Sequence, residues 1–382
     1  MSTSPRRPVA LVAGGGTAGH VLPGLAVARA LVDSGVPAEG IEFVGATRGL
    51  EATLVPAAGF RITLLPGRGI QRRLTWDNVA AAWGLLRAFA QAIVLVRRFR
   101  PRVVLTVGGF ASLATALSAV LWRVPVVVAE QNARAGAANR LVARWAAACA
   151  VAFEDTDLPR AVVTGNPVRA EILAVAEDRD RPGARRALGV PAGRTLVVVV
   201  AGSLGARSIN RAVWGAIEEW SERSDLAVYH VVGARDSSEV PPGARQRSER
   251  SAAGDHDRHD GLWYRAVTYE DHMETVLAAA DVAVCRAGGT TVAELAVVGV
   301  PALLVPLPIA TRDHQRANAA ALVAAGAAEL VDDEAISAGV VVGTVERWLD
   351  EGSLGRRADA ARSLGRPAAA EAVAALVVEH VR

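Results

Sequence analysis

The stretch Cys285-Arg286-Ala287-Gly288-Gly289-Thr290-Thr291-Val292-Ala293-Glu294 places two kinds of chemistry within ten residues. Gly288 and Gly289 permit a tight turn after the apolar run 282–284, and helical character begins at Thr290. A strand, a glycine turn and a helix start leave backbone N–H groups unbonded at the positive end of a helix dipole, which suits a phosphate. Glu294 falls on the first turns of that helix, at a spacing where a carboxylate accepts hydrogen bonds from a ribose diol. A nucleoside-diphosphate ligand fits both features. Standing alone, the motif would read as a glycine turn opening an ordinary strand–helix unit, but it recurs in kind elsewhere in the chain.

Gly14-Gly15-Gly16-Thr17-Ala18-Gly19 follows a strand-like run and formally matches the dinucleotide fingerprint G-x-G-x-x-G. That fingerprint expects an acid at the end of the second strand, and here the strand ends Val44-Gly45-Ala46-Thr47-Arg48. Arg48 could serve a 2′-phosphate, yet the glycine loops downstream would be left without a role, so the oxidoreductase reading is rejected. His20 closes this first loop, where an imidazole can act as general base or as a phosphate binder, with nothing in its position to choose between them. Glu130-Gln131-Asn132 stands at the carboxyl end of a buried strand, the edge where open α/β sheets hold ligands. Asp313-His314-Gln315 and Asn318 occupy the matching edge of the second half, and amides with a carboxylate suit sugar hydroxyls.

These residues need a scaffold, and the hydrophobic pattern supplies one twice. Strands at 9–13, 41–44, 103–107 and 124–129 alternate with helices at 23–34 and 78–98, and the scheme restarts with strands at 195–200, 226–232, 262–266, 282–285 and 302–305. Strand–helix alternation of this kind implies parallel sheets covered on both faces, and glycine loops at corresponding places in two halves imply twin Rossmann-like domains with a ligand cleft. The polar segment 241–261 reads as a mobile surface loop in which His256 and His259 are solvated. A second polar stretch spans 177–186, and the tail 358–382 reads as helical with a break at Gly365-Arg366-Pro367.

Length and composition agree with two globular domains: 382 residues, 51% hydrophobic and 21% charged. All basic residues are arginine. The net charge of +3 conceals a cluster between Arg61 and Arg102, where nine arginines face one acid, Asp77. That excess suggests an anionic partner for one face. The aromatic and basic loop at 68–76, with Arg68, Arg72, Arg73 and Trp76, could rest on an anionic bilayer surface, while much of the apolar stripe on the following helix, which bears Trp83 and Arg87, reads as core. Arg87 and Gln91 inside that helix argue against a membrane span. Cys149 and Cys285 lack disulfide or metal spacing and read as buried small hydrophobes. The short polar start of the chain carries no secretory signal, so a cytoplasmic protein is expected.

In order and spacing, GGGTAGHVLPGLAVA at 14–28, VGGFAS at 107–112, EQN at 130–132, GNPVR at 165–169, AGSLGARSIN at 201–210, CRAGGTTVAE at 285–294 and DHQRANA at 313–319 resemble the MurG family of peptidoglycan glycosyltransferases. The resemblance covers nearly the whole chain. It implies a GT-B fold of two Rossmann-like α/β domains: an acceptor and membrane-facing domain at 1–164, rejoined by 358–382, and a UDP-N-acetylglucosamine domain at 165–357. It implies inverting transfer of N-acetylglucosamine from UDP-GlcNAc to lipid I, making lipid II, by an enzyme peripheral to the cytoplasmic face of the bacterial plasma membrane. No metal or cofactor and no nucleic acid are expected; cell-wall synthesis and division proteins are the further partners implied.

Carried over motif by motif, Arg169 and Ser203 contact the donor diphosphate, Gly289, Thr290 and Thr291 meet its phosphates with Arg286 beside them, and Glu294 binds the ribose. Gln315 and His314 hold sugar hydroxyls, and the backbone near Glu270 borders the uracil. Thr17, Ala18 and Gly19 face the donor from the other domain, with Asn132 on its sugar. Gly15, Gly16, Gly108 and Gly109 cradle the acceptor diphosphate. His20 is the first candidate base and Glu130 the second. The chain departs from the family pattern at Phe110, Ala201, Leu204, Ala287 and His314, which leaves sugar preference and rate open. A GT-B enzyme with a soluble acceptor would have no use for the 68–76 loop, and an inactive nucleotide-binding scaffold would not need His20, Glu130 and Glu294 intact.

Overall fold

The computed structural model describes residues 8–47, 49–66, 77–202, 205–252 and 261–381, without the side chains of 77–85 and Phe110. The expectations for Arg48, Ser203, Leu204, the 68–76 loop, the Trp83 and Phe110 side chains, His256 and His259 lie outside the described residues. Two compact units emerge, one built from Met1–Arg169 with Arg366–Arg382, the other from Ala170–Gly365.

The first unit is a seven-stranded parallel sheet in the order β3-β2-β1-β4-β5-β6-β7. Its strands are β1 (Ala10–Gly14), β2 (Ile41–Ala46), β3 (Arg61–Leu65), β4 (Val103–Gly108), β5 (Val126–Glu130), β6 (Ala148–Val151) and β7 (Ala161–Val163). The helices between them are α1 (Ala18–Asp33), α2 (Glu51–Ala57), α3 (Asp77–Phe99), α4 (Phe110–Leu121) and α5 (Ala137–Val142). β1, β4 and β5 are buried along their whole length, as expected of unbroken apolar runs covered on both faces. One side of the sheet packs α1 together with α15 (Ala369–Glu379), whose Val373 and Val377 enter the core. The other packs α3 and α4, with Cys149 in that layer. Burial pushes the Cys149 thiol up to about 11 and the Cys285 thiol up to about 12.

The second unit is a six-stranded parallel sheet in the order β10-β9-β8-β11-β12-β13. Its strands are β8 (Thr195–Val200), β9 (Leu226–Val231), β10 (Trp263–Val267), β11 (Val282–Cys285), β12 (Ala302–Leu304) and β13 (Ala328–Leu330). Around them lie α6 (Ala170–Glu177), α7 (Arg181–Leu188), α8 (Arg207–Glu219), α9 (Pro242–Ala252), α10 (Met273–Ala279), α11 (Gly289–Val298), α12 (His314–Ala324), α13 (Ala338–Asp350) and α14 (Leu354–Ser363). Local signals set many ends. Asp180 caps α7 through the Gly183 amide, and Gly189 closes that helix in the left-handed region.

Several expectations are corrected. The first helix starts at Ala18, not at Pro23, because the Thr17 carbonyl already accepts the His20 and Val21 amides. Residues 242–252 form α9 where a mobile loop was expected. Buried Ala244 and Ser251, and a bond from the Ala266 amide to the Ser248 hydroxyl at 2.9 Å, fasten it against β10. The polar stretch 177–186 runs into α7. The compact units divide at 169/170 and 365/366, with α14 packed on α11 and Arg362 against Gly299 in the second.

Candidate active site

In the first unit the strand order reverses between β1 and β4, the place where doubly wound sheets open a ligand crevice. Gly14 ends one strand and Gly108 the other, and the Gly15 amide donates to the Gly108 carbonyl at 3.3 Å. The loops touch so closely that a β-carbon on Gly109, whose φ is +92°, would lie 2.6 Å from the Gly15 carbonyl oxygen. Both following helices, α1 after Thr17 and α4 after Gly109, start without a side-chain cap. In α1 no side chain caps the Ala18 and Gly19 amides, which an anion can therefore meet.

His20 sits in the first turn of α1, with Nδ1 3.3 Å from the Thr17 hydroxyl. Its ring lies against Gly108, where an added β-carbon would fall 3.1 Å from Nε2 and 3.6 Å from the Asn139 side-chain nitrogen. Asn139 in turn donates to Glu130 at 2.9 Å and to the Ala129 carbonyl at 3.2 Å. The Glu130 carboxylate, 4% exposed, also accepts the Asn132 backbone amide at 3.0 Å, the Asn132 side-chain amide at 3.2 Å and the Gly136 amide at 3.0 Å. Glu130 thus ties the turn after β5 to α5.

A buried carboxylate that sequence reading missed lies under the same loop. Glu51, 1% exposed, accepts the Gly16 amide at 2.7 Å and the Ala46 amide at 2.8 Å. Arg169 closes the first unit, half-buried, at its junction with α6.

In the second unit the order reverses between β8 and β11, and again two helices begin there uncapped: α8 after Ala206 and α11 after Gly288. The first-turn amides of α11 belong to Gly289, Thr290 and Thr291, the residues assigned to phosphate. Glu294 is buried one turn further on, near enough to Cys285 to contribute to holding that thiol up, after burial itself. Arg286 is braced. Its guanidinium donates to the Val305 and Pro306 carbonyls at 3.2 Å each and to Asp333, which also accepts the Ser208 hydroxyl. Asp333 and Ser208 were not singled out from sequence, because they lie 47 and 78 residues from Arg286.

Gln315 accepts the Leu307 amide at 2.9 Å through its side-chain oxygen, which leaves the NH2 end as its donor. His314 contacts the Thr311 carbonyl at 3.0 Å and is partly exposed, and Asn318 donates to the Ala287 carbonyl at 3.1 Å behind the turn. The Glu270 carboxylate accepts the Tyr229 hydroxyl at 2.6 Å and the His272 amide at 2.8 Å. Burial, then the bond to Glu270, raises the Tyr229 phenol well above its ordinary range. Beside the third glycine loop, buried Asp236 accepts Arg235 and Asn210, and Asn210 continues through His230 to Tyr264. Burial pushes the His230 imidazole down to about 3.

The sequence profile of the glycosyltransferase family 28 N-terminal domain matches residues 10–151, and that of the family's C-terminal domain matches 196–373. A UDP-N-acetylglucosamine--N-acetylmuramyl-(pentapeptide) pyrophosphoryl-undecaprenol N-acetylglucosamine transferase of Alkalilimnicola ehrlichii is 40% identical over 97% of this chain and 99% of its own. The Moorella thermoacetica protein of the same name is 37% identical over 97% and 98%. Among solved structures, Acinetobacter baumannii MurG superposes with a TM-score of 0.72 at 27% identity, covering 97% of this chain and 99% of that one.

Proposed function

The chain belongs to glycosyltransferase family 28 as a member of its MurG group, and on that premise we propose that it transfers N-acetylglucosamine from UDP-GlcNAc to lipid I. The observation that carries the reading is the uncapped start of α11 with Glu294 buried directly behind it. A diphosphate accepts the amides of Gly289, Thr290 and Thr291, and a ribose diol reaches the carboxylate. Arg169 and Ser203 complete the diphosphate contacts, the backbone at Glu270 borders the base, and Gln315 and His314 take sugar hydroxyls. In the first unit Thr17, Ala18 and Gly19 face the donor, with Asn132 on its sugar, while the first glycine loop with Gly15 and Gly16, together with Gly108 and Gly109, cradles the acceptor diphosphate.

His20 takes the proton of the acceptor hydroxyl as that oxygen attacks the anomeric carbon from the face opposite UDP, which inverts the centre. The Thr17 hydroxyl and the Gly108 backbone fix the ring. Negative charge growing on the leaving diphosphate is met by the α11 amides, groups already oriented before reaction. Arg286, held by Asp333 and two strand-end carbonyls, adds positive charge at a fixed position.

An acceptor with an undecaprenyl chain requires work at a bilayer, and no described helix is long and apolar enough to cross one. We place the cytoplasmic membrane face against the α3–α4 side of the first unit. Leu86, Val94, Leu121 and Trp122 are exposed there among Arg87, Arg97, Arg98 and Arg123, and the Arg97 guanidinium stacks 5.5 Å from the Trp122 ring. A groove of about 420 Å³ between β3 and α3, lined by Leu64, Val94 and Phe99, lies on the same side. That position also puts the enzyme within reach of cell-wall synthesis and division proteins. Transfer of labelled N-acetylglucosamine to a short-chain lipid I analogue, with His20→Ala alongside, tests the reading. Product from the unaltered chain and none from the variant is the expected result. Absence of product despite UDP-GlcNAc binding would refute the acceptor assignment.

A further inference from the structure

We infer that Glu51 is a positioning residue for the acceptor: it holds the Gly16 amide inward, so that the amides after it, at the start of α1, carry the acceptor's diphosphate. The inference rests on the reading of the first glycine loop as the acceptor cradle. Glu51 opens α2, 35 residues along the chain from Gly16, and its carboxylate bridges two segments by accepting Gly16 N–H with one oxygen and Ala46 N–H with the other. Three glycines make room for it. A β-carbon at Gly15 would lie 2.1 Å from its carboxyl carbon, at Gly45 2.3 Å from Cγ, and at Gly49 1.9 Å from a carboxylate oxygen. Glycine at each of these positions is therefore required by one carboxylate.

The consequence for ligand binding follows from donor supply. In a dinucleotide fold the glycine-rich turn offers its amides to a pyrophosphate. Here Gly16 has one N–H, and an internal anion has taken it. A ligand diphosphate must use donors further along, at Ala18 and Gly19, on the uncapped helix start beside His20. The loop is thereby set to bring a diphosphate next to the imidazole instead of deeper into the turn.

Charge and geometry act in opposite directions at Glu51, which makes the test sharp. A carboxylate this close to an anion site repels the anion, so if charge were its whole effect, Glu51→Gln would tighten acceptor binding. If position is its effect, Glu51→Gln loosens binding, because the new NH2 must face one of two backbone donors. The experiment measures KM for the short-chain lipid I analogue, KM for UDP-GlcNAc, kcat and melting temperature for Glu51→Gln and Gly109→Ala in the full chain. Glu51→Asp, a shorter carboxylate unable to reach both amides, replaces the glutamine variant should that fail to fold. The expected result for the Glu51 variant is an acceptor KM raised about tenfold or more, since small misplacements at a binding loop have effects of that order, with the donor KM within about twofold. An acceptor KM unchanged or lowered, or both KM values raised alike, overturns the inference. If Gly109→Ala raises the acceptor KM while Glu51→Gln does not, Glu51 alone is wrongly assigned. If Gly109→Ala also leaves it unchanged, the acceptor cradle itself falls, and the inference with it.

Discussion

Replacing Glu130 by glutamine separates an organising carboxylate from a catalytic base. One carboxylate oxygen accepts the Asn132 backbone amide at 3.0 Å and its side-chain amide at 3.2 Å; the other accepts Gly136 N–H at 3.0 Å and the Asn139 side chain at 2.9 Å. Whichever oxygen becomes NH2 meets two donors, so two of the four bonds are lost. Hydrogen bonds to a charged group contribute about 1.5–3 kcal/mol each, and partial access of water to Asn132 and Gly136 brings the total to about 2–3 kcal/mol. For a folding unit of this size that is a fall in melting temperature of about 4–12 °C. Thermal unfolding and steady-state kinetics across pH should show that fall, a raised KM for UDP-GlcNAc as Asn132 loses its hold, and an acidic limb of the pH–rate profile that persists because it belongs to His20. An unchanged melting temperature with kcat down by about a thousandfold and the acidic limb abolished would refute this reasoning and make Glu130 the base.

His230 gives a pH prediction with a definite sign. Its imidazole is fully buried and titrates near 3 when folded, against about 6.5 when unfolded, so between those values the unfolded chain binds the extra proton and stability falls as pH falls. The loss reaches up to about 5 kcal/mol by the bottom of that window, and the acid-unfolding curve of His230→Gln should lack that slope. Arg97→Gln with Arg98→Gln should weaken sedimentation with anionic vesicles about thirtyfold, at about 1 kcal/mol per arginine, and the difference should shrink in high salt; equal binding would remove the α3–α4 side from the membrane. Val373→Ala empties space in the core beside α1 and should lower the melting temperature by about 4–8 °C while UDP-GlcNAc binding by titration calorimetry stays unchanged.

Legibility in the sequence followed the distance over which each contact acts. The donor turn was readable because strand, glycines, helix start and Glu294 fall within ten consecutive residues and each has its own local signature. The twin Rossmann-like halves were readable from the glycine loops that end β1, β4 and β8. Glu51 was hidden because its meaning comes from Gly16, 35 residues earlier, and nothing in Gly-Leu-Glu-Ala distinguishes it from an exposed helix start. Asp333 was hidden from Arg286 in the same way. The sequence Pro-Gly-Ala-Arg-Gln-Arg-Ser-Glu-Arg-Ser-Ala of α9 reads as loop because its buried face is small, Ala244 and Ser251, and leaves no apolar period. The three-residue strands β7 and β13 are too short to alternate, β7 is exposed throughout, and β3 is buried only at Leu65.

The return of α15 to the first unit sets an order of events during biosynthesis. The ribosome finishes the seven strands of that unit early, yet the layer that covers α1 with Val373, Ala374 and Val377 is encoded after the whole of the second unit. At elongation rates of about 5–20 residues per second, the intervening second unit delays that cover by about 10–40 s. Throughout that interval the nascent first unit exposes an apolar strip along α1, while the second unit, continuous in sequence, can close on its own. Chaperone demand should therefore fall on the half of the protein that is made first.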